Sequence, residues 1–324
     1  MTHQDFPDAD GSATERSIFA IVQRCLRPWL AVLLLFEAGA CRAQQKVPPG
    51  VELLSDVEYG KVGERALHLE IARPKTLPAK PMPVVLWVHV GGWKEGSHKP
   101  DVMIAFAAKG WFTASIEYRL SGEAKWPAQI EDCKLAVRWL RANADRWGID
   151  PNHFGACGIS AGGHLVECLG TMDEKAGFDV GANLEMSSRV QAVVAESGPA
   201  DLTPEGPGLA GEQDVQRLPF LVQLFGVSYG ERPAVWKSAS PIYQIRAGDP
   251  PFLLICGNAD ELVPKAHSER MLAALQKAGV PAEMITLKNA NHVLLPAKAG
   301  TPTEPSMAEM YQAIVRFFEA NLVK

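Results

Sequence analysis

A serine between two glycines, Gly158-Ile159-Ser160-Ala161-Gly162, stands where the apolar run His153–Gly158 gives way to a helical pattern. Gly-x-Ser-x-Gly at a strand-to-helix turn forms a sharp elbow that lifts the serine hydroxyl clear of the sheet. The turn is so tight that the residues two before and two after the serine must lack side chains. The helix N-terminus beneath the serine favours a developing negative charge. A hydroxyl is a poor nucleophile at its free pKa, so this chemistry needs a base and a carboxylate that orients the base. His292, in Asn289-Ala-Asn-His292, follows the last β-like run, and Asp260 and Glu261 both follow the run Phe252–Cys256. Serine, acid, histidine is an order that such a triad is known to take along a chain. The other histidines fit the base less well. His164 lies one turn along the helix from Ser160, so its ring is carried away from the hydroxyl and reads as packing or a hydrogen-bond prop. His267 falls inside a helix, and His68, His98 and His153 match no base position.

These residues need a sheet to hold them. Val51–Tyr59 and Ala66–Ile71 read as an antiparallel pair, with Gly60 and Gly63 at its turn. Val84–Val88 is a continuous apolar run, as in a strand buried on both faces of a parallel sheet. Further runs are Phe112–Ile116, His153–Gly158, Val190–Ala195, Phe252–Cys256 and Met284–Leu287. Between them, 126–144 places Ile130, Cys133, Val137 and Leu140 on one helical face. Lys265–Ala278 reads as a helix stopped by Gly279 and Pro281. Ser306-x-x-Glu309 is a capping box opening a last helix, with Met310, Ile314 and Phe317 on one side. Strands alternating with helices predict an α/β fold, a mostly parallel sheet covered on both faces. In such sheets the site lies at the C-terminal ends of the strands.

The chain has 324 residues, 47% hydrophobic and 21% charged, with 32 Lys+Arg against 37 Asp+Glu and a net charge of −5. This is globular composition without the basic footprint of a nucleic-acid binder. The six cysteines form no CxxC pair and there is no HExxH, so no metal is implied, and no cofactor motif occurs. Cationic residues at Arg16, Arg24 and Arg27 precede the apolar run Trp29–Phe36, which is too short to span a bilayer. Small residues follow, in Ala38-Gly39-Ala40 and Cys41-Arg42-Ala43. The pattern predicts a secretory signal over 1–43 and a mature domain over 44–324, secreted or periplasmic. A lipid anchor at Cys41 is an alternative, since Ala-Gly-Ala-Cys resembles a lipoprotein box with Ala38 where that box prefers Leu. In the exported domain Cys133, Cys157, Cys168 and Cys256 read as buried free thiols. A Cys133–Cys168 bridge is the competing reading.

The run Val84–Val88 leads into His89-Val90-Gly91-Gly92-Trp93. Here the chain resembles the α/β-hydrolase superfamily, in particular the hormone-sensitive-lipase-like esterases and the acetylxylan/feruloyl-esterase-like (BD-FAE-like) group. Tyr118-Arg-Leu, Trp126-Pro-Ala-x-x-Glu-Asp132, Ala136-x-x-Trp139-Leu, Gly148-Ile-Asp-Pro151 and Ser160-Ala-Gly-Gly-His164 carry the same resemblance, which runs over roughly 51–322. It implies an α/β-hydrolase fold and a serine carboxylesterase with Ser160 as nucleophile, His292 as base and Asp260, rather than Glu261, as the acid. It also implies an oxyanion hole of backbone N–H groups from Gly91, Gly92 and Ala161. His89 would order the glycine loop without titrating. The sequence departs from the family at Val90, where a third glycine is usual. The resemblance predicts that the hole survives with an altered entry loop.

More than a plain connection separates Ala195 from Phe252. Its early turn formers and the series Phe220, Phe225, Tyr229, Trp236 and Tyr243 predict a small cap at about 199–245. Taken singly, each of these aromatics reads as packing the cap on the sheet. A shallow pocket would favour short-chain or aryl esters, acetyl or feruloyl esters of polysaccharides among them. The alternatives are a peptidase of the prolyl-oligopeptidase type, for which no gating domain is present, and a non-catalytic binding module on the same fold.

Overall fold

The apolar runs become the strands of one sheet. In a computed structural model of the chain, residues 47–99 and 102–323 are described. The leader read over 1–43, with Cys25 and Cys41, lies outside them. The elements are β1 (Val51–Val62), β2 (Arg65–Pro74), β3 (Met82–Val88), α1 (Val102–Ala107), β4 (Phe112–Ile116), α2 (Ala128–Ala142), α3 (Ala144–Trp147) and β5 (Ile149–Ile159). There follow α4 (Ala161–Thr171), β6 (Ala192–Glu196), α5 (Pro219–Phe225), α6 (Pro233–Ser238), β7 (Phe252–Gly257), α7 (Ala266–Lys277), β8 (Ala282–Leu287) and α8 (Met307–Leu322).

The sheet has eight strands in the order β1-β2-β4-β3-β5-β6-β7-β8. β2 pairs antiparallel with β1 and with β4, and every later pairing is parallel. Every residue of β4, β6 and β7 is buried, as a sheet covered on both faces requires. On one face α8 packs Met310, Ile314, Val315 and Phe318 against Val85, Cys157, Val194 and Ile255. On the other, Gly170 of α4 lies against Val193 and Phe252, which alternate with Val194 and Leu253 along their strands. No described helix is long and apolar enough to cross a membrane.

The structure corrects several sequence expectations. Gly60 is not in the turn. It lies within β1 opposite Leu67, where a Cβ would come 2.7 Å from the Leu135 side chain on α2, and the chain turns after Val62 instead. The helix expected over 126–144 ends at Ala142, with the separate turn α3 after it, although Ile130, Cys133, Val137 and Leu140 are all buried as expected. The capping box at Ser306 and Glu309 forms. Phe318, rather than Phe317, is the fully buried ring, because it continues the four-residue spacing from Met310 and Ile314. Helix α1 was not expected. Cys133, Cys157, Cys168 and Cys256 are buried and free, so no Cys133–Cys168 bridge is present.

Candidate active site

β5 runs straight into Ser160, which takes φ 59° and ψ −121°, and α4 begins at the next residue. A non-glycine residue at such a φ is strained and must be held by its surroundings. The Ser160 N–H donates to Glu196 O at 2.8 Å, tying the elbow to the end of β6. A Cβ on Gly158 would lie 2.6 Å from the backbone of Gly162, and one on Gly162 would collide with Val88 O on β3. Only glycine therefore lets α4 start this close to the sheet.

His292, in the loop after β8, meets Ser160, and Asp260, in the loop after β7, meets His292. His292 Nε2 is 2.8 Å from Ser160 Oγ, and its Nδ1 is 2.9 Å from Asp260 Oδ2. A carboxylate on Nδ1 fixes the ring proton there, leaving Nε2 to accept from the serine hydroxyl. The other Asp260 oxygen accepts from the N–H groups of Leu262 and Val263, at 2.9 and 2.8 Å. The Asp260 side chain is completely buried, whereas Glu261 is exposed. A Cβ on Gly257 would collide with Ala290 O, so the bare backbone there lets the loop of Asp260 lie against that of His292.

The glycine loop follows β3. Gly91, Gly92 and Trp93 all have positive φ, and the N–H groups of Lys94 and Glu95 donate to Gly91 O at 3.0 and 3.1 Å. No hydrogen bond among the described residues occupies the N–H of Gly91, Gly92 or Ala161. For Ala161 this follows from its place in the first turn of α4. His89 stacks on Tyr118 with centroids 4.1 Å apart, donates from Nδ1 to Val90 O at 2.7 Å, and accepts the Tyr118 hydroxyl at its own carbonyl. Burial lowers its pKa to about 4, so it stays neutral while it orders the loop. Val90 is not among the positive-φ residues, and its side chain packs against the apolar cluster of Leu294 and Ile255. Val90→Gly should therefore change kcat by less than about threefold. A gain above about 100-fold, the scale of one oxyanion donor, would show that Val90 obstructs the loop.

His164 is a prop, as its position on α4 predicts. Trp93 Nε1 donates to its Nδ1 at 3.2 Å, and its Nε2 donates to Ala239 O at 2.6 Å. The ring thus joins the glycine loop, α4 and the segment after β6, and burial lowers its pKa to about 4. His267 similarly bonds Gly208 O, while His68, His98 and His153 lie beside Glu117, Asp56 and Asp150. Within the segment between β6 and β7, Phe220 stacks on Trp93 and Phe225 packs at a tilt on the buried Trp236, while Tyr229 and Tyr243 keep exposed surface. Trp93, Tyr118 and Glu196 hold the serine and the glycine loop in place. Their roles are invisible in sequence because each acts through a distant partner.

Two buried carboxyls lie behind the serine. Neither oxygen of Glu167 has a hydrogen-bond partner among the described residues, and burial raises its pKa well above the usual range. Burial also raises Glu196 to about 7, against a weak contact from the Cys157 thiol. The folded chain keeps these protons while the unfolded chain releases them above its ordinary carboxyl pKa of 4.5. Their contribution to stability therefore falls as pH rises through that window, by up to about 1.4 kcal/mol per unit for each group. Glu167→Gln should flatten the pH dependence of the urea midpoint between about pH 5 and 8. An unchanged slope would mean that Glu167 is already ionised in the folded protein.

A profile of the BD-FAE family matches residues 69–275, taking in the glycine loop, the elbow and the loop of Asp260 and ending before His292. The chain belongs to the BD-FAE family. Its fold is that of the α/β-hydrolases, and its solved neighbours share it. A truncated carbohydrate esterase from gut microbiota superposes with a TM-score of 0.69 at 27% identity, over 84% of this chain and 97% of that one. A thermophilic esterase from the planctomycete Thermogutta terrifontis gives 0.65 at 28% identity, over 86% and 94%. Among curated relatives, esterase LipQ of Mycobacterium tuberculosis is 32% identical over 74% of this chain and 56% of its own length. Esterase LipC of the same organism is 33% identical over 68% and 54%. This BD-FAE chain thus spans little more than half the length of those two relatives.

Proposed function

We propose that this protein is an exported serine carboxylesterase that hydrolyses short-chain or aryl esters, with acetyl and feruloyl esters of polysaccharides as its substrate class. The observation that carries the reading is the unbroken hydrogen-bonded chain Asp260–His292–Ser160, at 2.9 and 2.8 Å, beneath a strained elbow. His292 Nε2 takes the Ser160 proton as Oγ attacks the ester carbonyl, and Asp260 stabilises the imidazolium. The N–H groups of Gly91, Gly92 and Ala161 receive the oxyanion. Collapse of the tetrahedral intermediate releases the alcohol, which takes its proton from His292. Water then attacks the acyl-enzyme by the same route and frees the acid.

The esterase names of the relatives and neighbours support the reaction, and the carbohydrate esterase among them supports the polymer-bound alcohol. Export is supported by the leader pattern before residue 44. A panel of p-nitrophenyl esters with acetylated xylan and a feruloylated oligosaccharide tests the substrate class. Turnover of the sugar esters at least equal to that of p-nitrophenyl butyrate is expected, with long-chain esters far slower. Preference for a long-chain ester would overturn the carbohydrate reading. An intact Met1 on protein recovered from its own cell would overturn export.

A further inference from the structure

The N–H groups assigned to the oxyanion come from two separate elements. Gly91 and Gly92 lie in the loop after β3, and Ala161 opens α4. An oxyanion must meet donors from both within hydrogen-bond reach, so the separation of loop and helix matters as much as the shape of either. At its start the loop is set against α4 by backbone packing. A Cβ on Gly162 would collide with Val88 O and lie 2.8 Å from His89 O. The glycine donors stand further out, between that contact and Trp93.

Trp93 ends the bend at φ 59°, a conformation that a bulky residue keeps only when its surroundings hold it. Its indole crosses to α4, where Nε1 donates to His164 Nδ1 at 3.2 Å and the two rings meet edge-on at 5.1 Å. His164 stands three residues after Ala161, and its own backbone N–H donates to Ser160 O at 2.9 Å. The bond therefore runs from the residue beside Gly92 to the first turn beyond Ala161. An indole N–H can only donate, so Nδ1 of His164 is the acceptor and the ring proton sits on Nε2, which gives it to Ala239 O at 2.6 Å. Both rings are buried, so water does not replace a partner lost here. The segment between β6 and β7 braces each of them, through Phe220 stacked on Trp93 at 6.2 Å and through Ala239 O on His164.

We propose that the Trp93–His164 bond is a clamp that sets the two halves of the oxyanion hole at their working separation, with both side chains acting as positioning residues. The inference rests on the acyl-transfer reading above. The oxyanion forms in both acylation and deacylation, so a slackened clamp lowers kcat and leaves KM nearly unchanged. Trp93→Phe keeps a ring against Phe220 and removes the donor. It should lower kcat for p-nitrophenyl acetate by about 30-fold, short of the hundredfold or more that a lost oxyanion donor costs, with KM within about twofold. Two replacements of His164 separate a clamp from a filler. An asparagine carries its amide oxygen about where Nδ1 stands, and a glutamine its amide nitrogen about where Nε2 stands. His164→Asn thus retains an acceptor for Trp93, and His164→Gln a donor for Ala239 O. His164→Gln should lose kcat as Trp93→Phe does, whereas His164→Asn should recover it to within about threefold of the parent, although both lower the melting temperature. The double variant Trp93→Phe/His164→Gln should be no slower than either single one. A trifluoromethyl ketone, which the serine converts to a bound oxyanion, should bind the His164→Gln form more weakly by the factor that kcat/KM falls. Equal kcat in the parent, Trp93→Phe and His164→Gln would overturn the clamp and leave the acyl-transfer reading standing. Equal losses in the two His164 variants, following their melting temperatures, would overturn it in favour of packing alone. A parent without ester hydrolysis would overturn both the reading and the clamp.

Discussion

Ester hydrolysis by the Ser160→Ala protein should fall by about a millionfold, the scale seen when a serine hydrolase loses its nucleophile. Fold should survive. Among the described residues the Ser160 hydroxyl bonds His292 alone, and the backbone bond from its N–H to Glu196 O does not depend on the hydroxyl. Alanine carries the same Cβ at the strained φ of 59°, so the elbow gains no new strain. Kinetics on p-nitrophenyl acetate, together with a circular dichroism spectrum matching the parent, would check this. Substantial turnover by pure, folded Ser160→Ala protein would place the nucleophile elsewhere.

Asp260→Asn should lower kcat by about 10⁴ with little change in KM. The carbonyl oxygen of the new amide can still accept from Leu262 and Val263, as Asp260 Oδ1 does now. Its NH₂ group would then face His292 Nδ1 in place of an acceptor. The imidazole would put its proton on Nε2 and present a donor to Ser160, which is the wrong tautomer for a base. Glu261 cannot take over, because it is exposed while Asp260 is buried against the ring. The check is kcat measured beside that of Glu261→Gln, which should match the parent. A loss of less than tenfold in Asp260→Asn, or a large one in Glu261→Gln, would move the acid by one residue.

The elbow, the parallel sheet and the chain order of the three site residues were legible in the sequence because each depends on short-range physics. A strand, a turn that excludes Cβ atoms and a helix are consecutive in the chain, so Gly158, Ser160 and Gly162 announce one another. Continuous apolar runs report strands buried on both faces for the same local reason. The resemblance at the glycine loop added Gly91 and Gly92, and the positive φ values of both agree with a bend that glycine favours.

Other features depend on what the chain meets far from itself. Asp260 and Glu261 are adjacent and alike in charge, and only the fold of their loop against Ala290 turns one inward and the other to solvent. Gly60 resembles a turn residue until α2 arrives and Leu135 occupies the space a side chain would need. His164 carries no sign of the indole on one ring nitrogen and the carbonyl on the other, since Trp93 lies 71 residues before it and Ala239 75 residues after it. The sequence by itself determined which residues could carry acyl-transfer chemistry and which strands would present them. Tertiary structure decided which carboxylate meets the imidazole, which histidine is a prop and which tyrosines reach the surface. Those outcomes are set by contacts between loops that are distant in the chain, and local residue patterns carry no record of them.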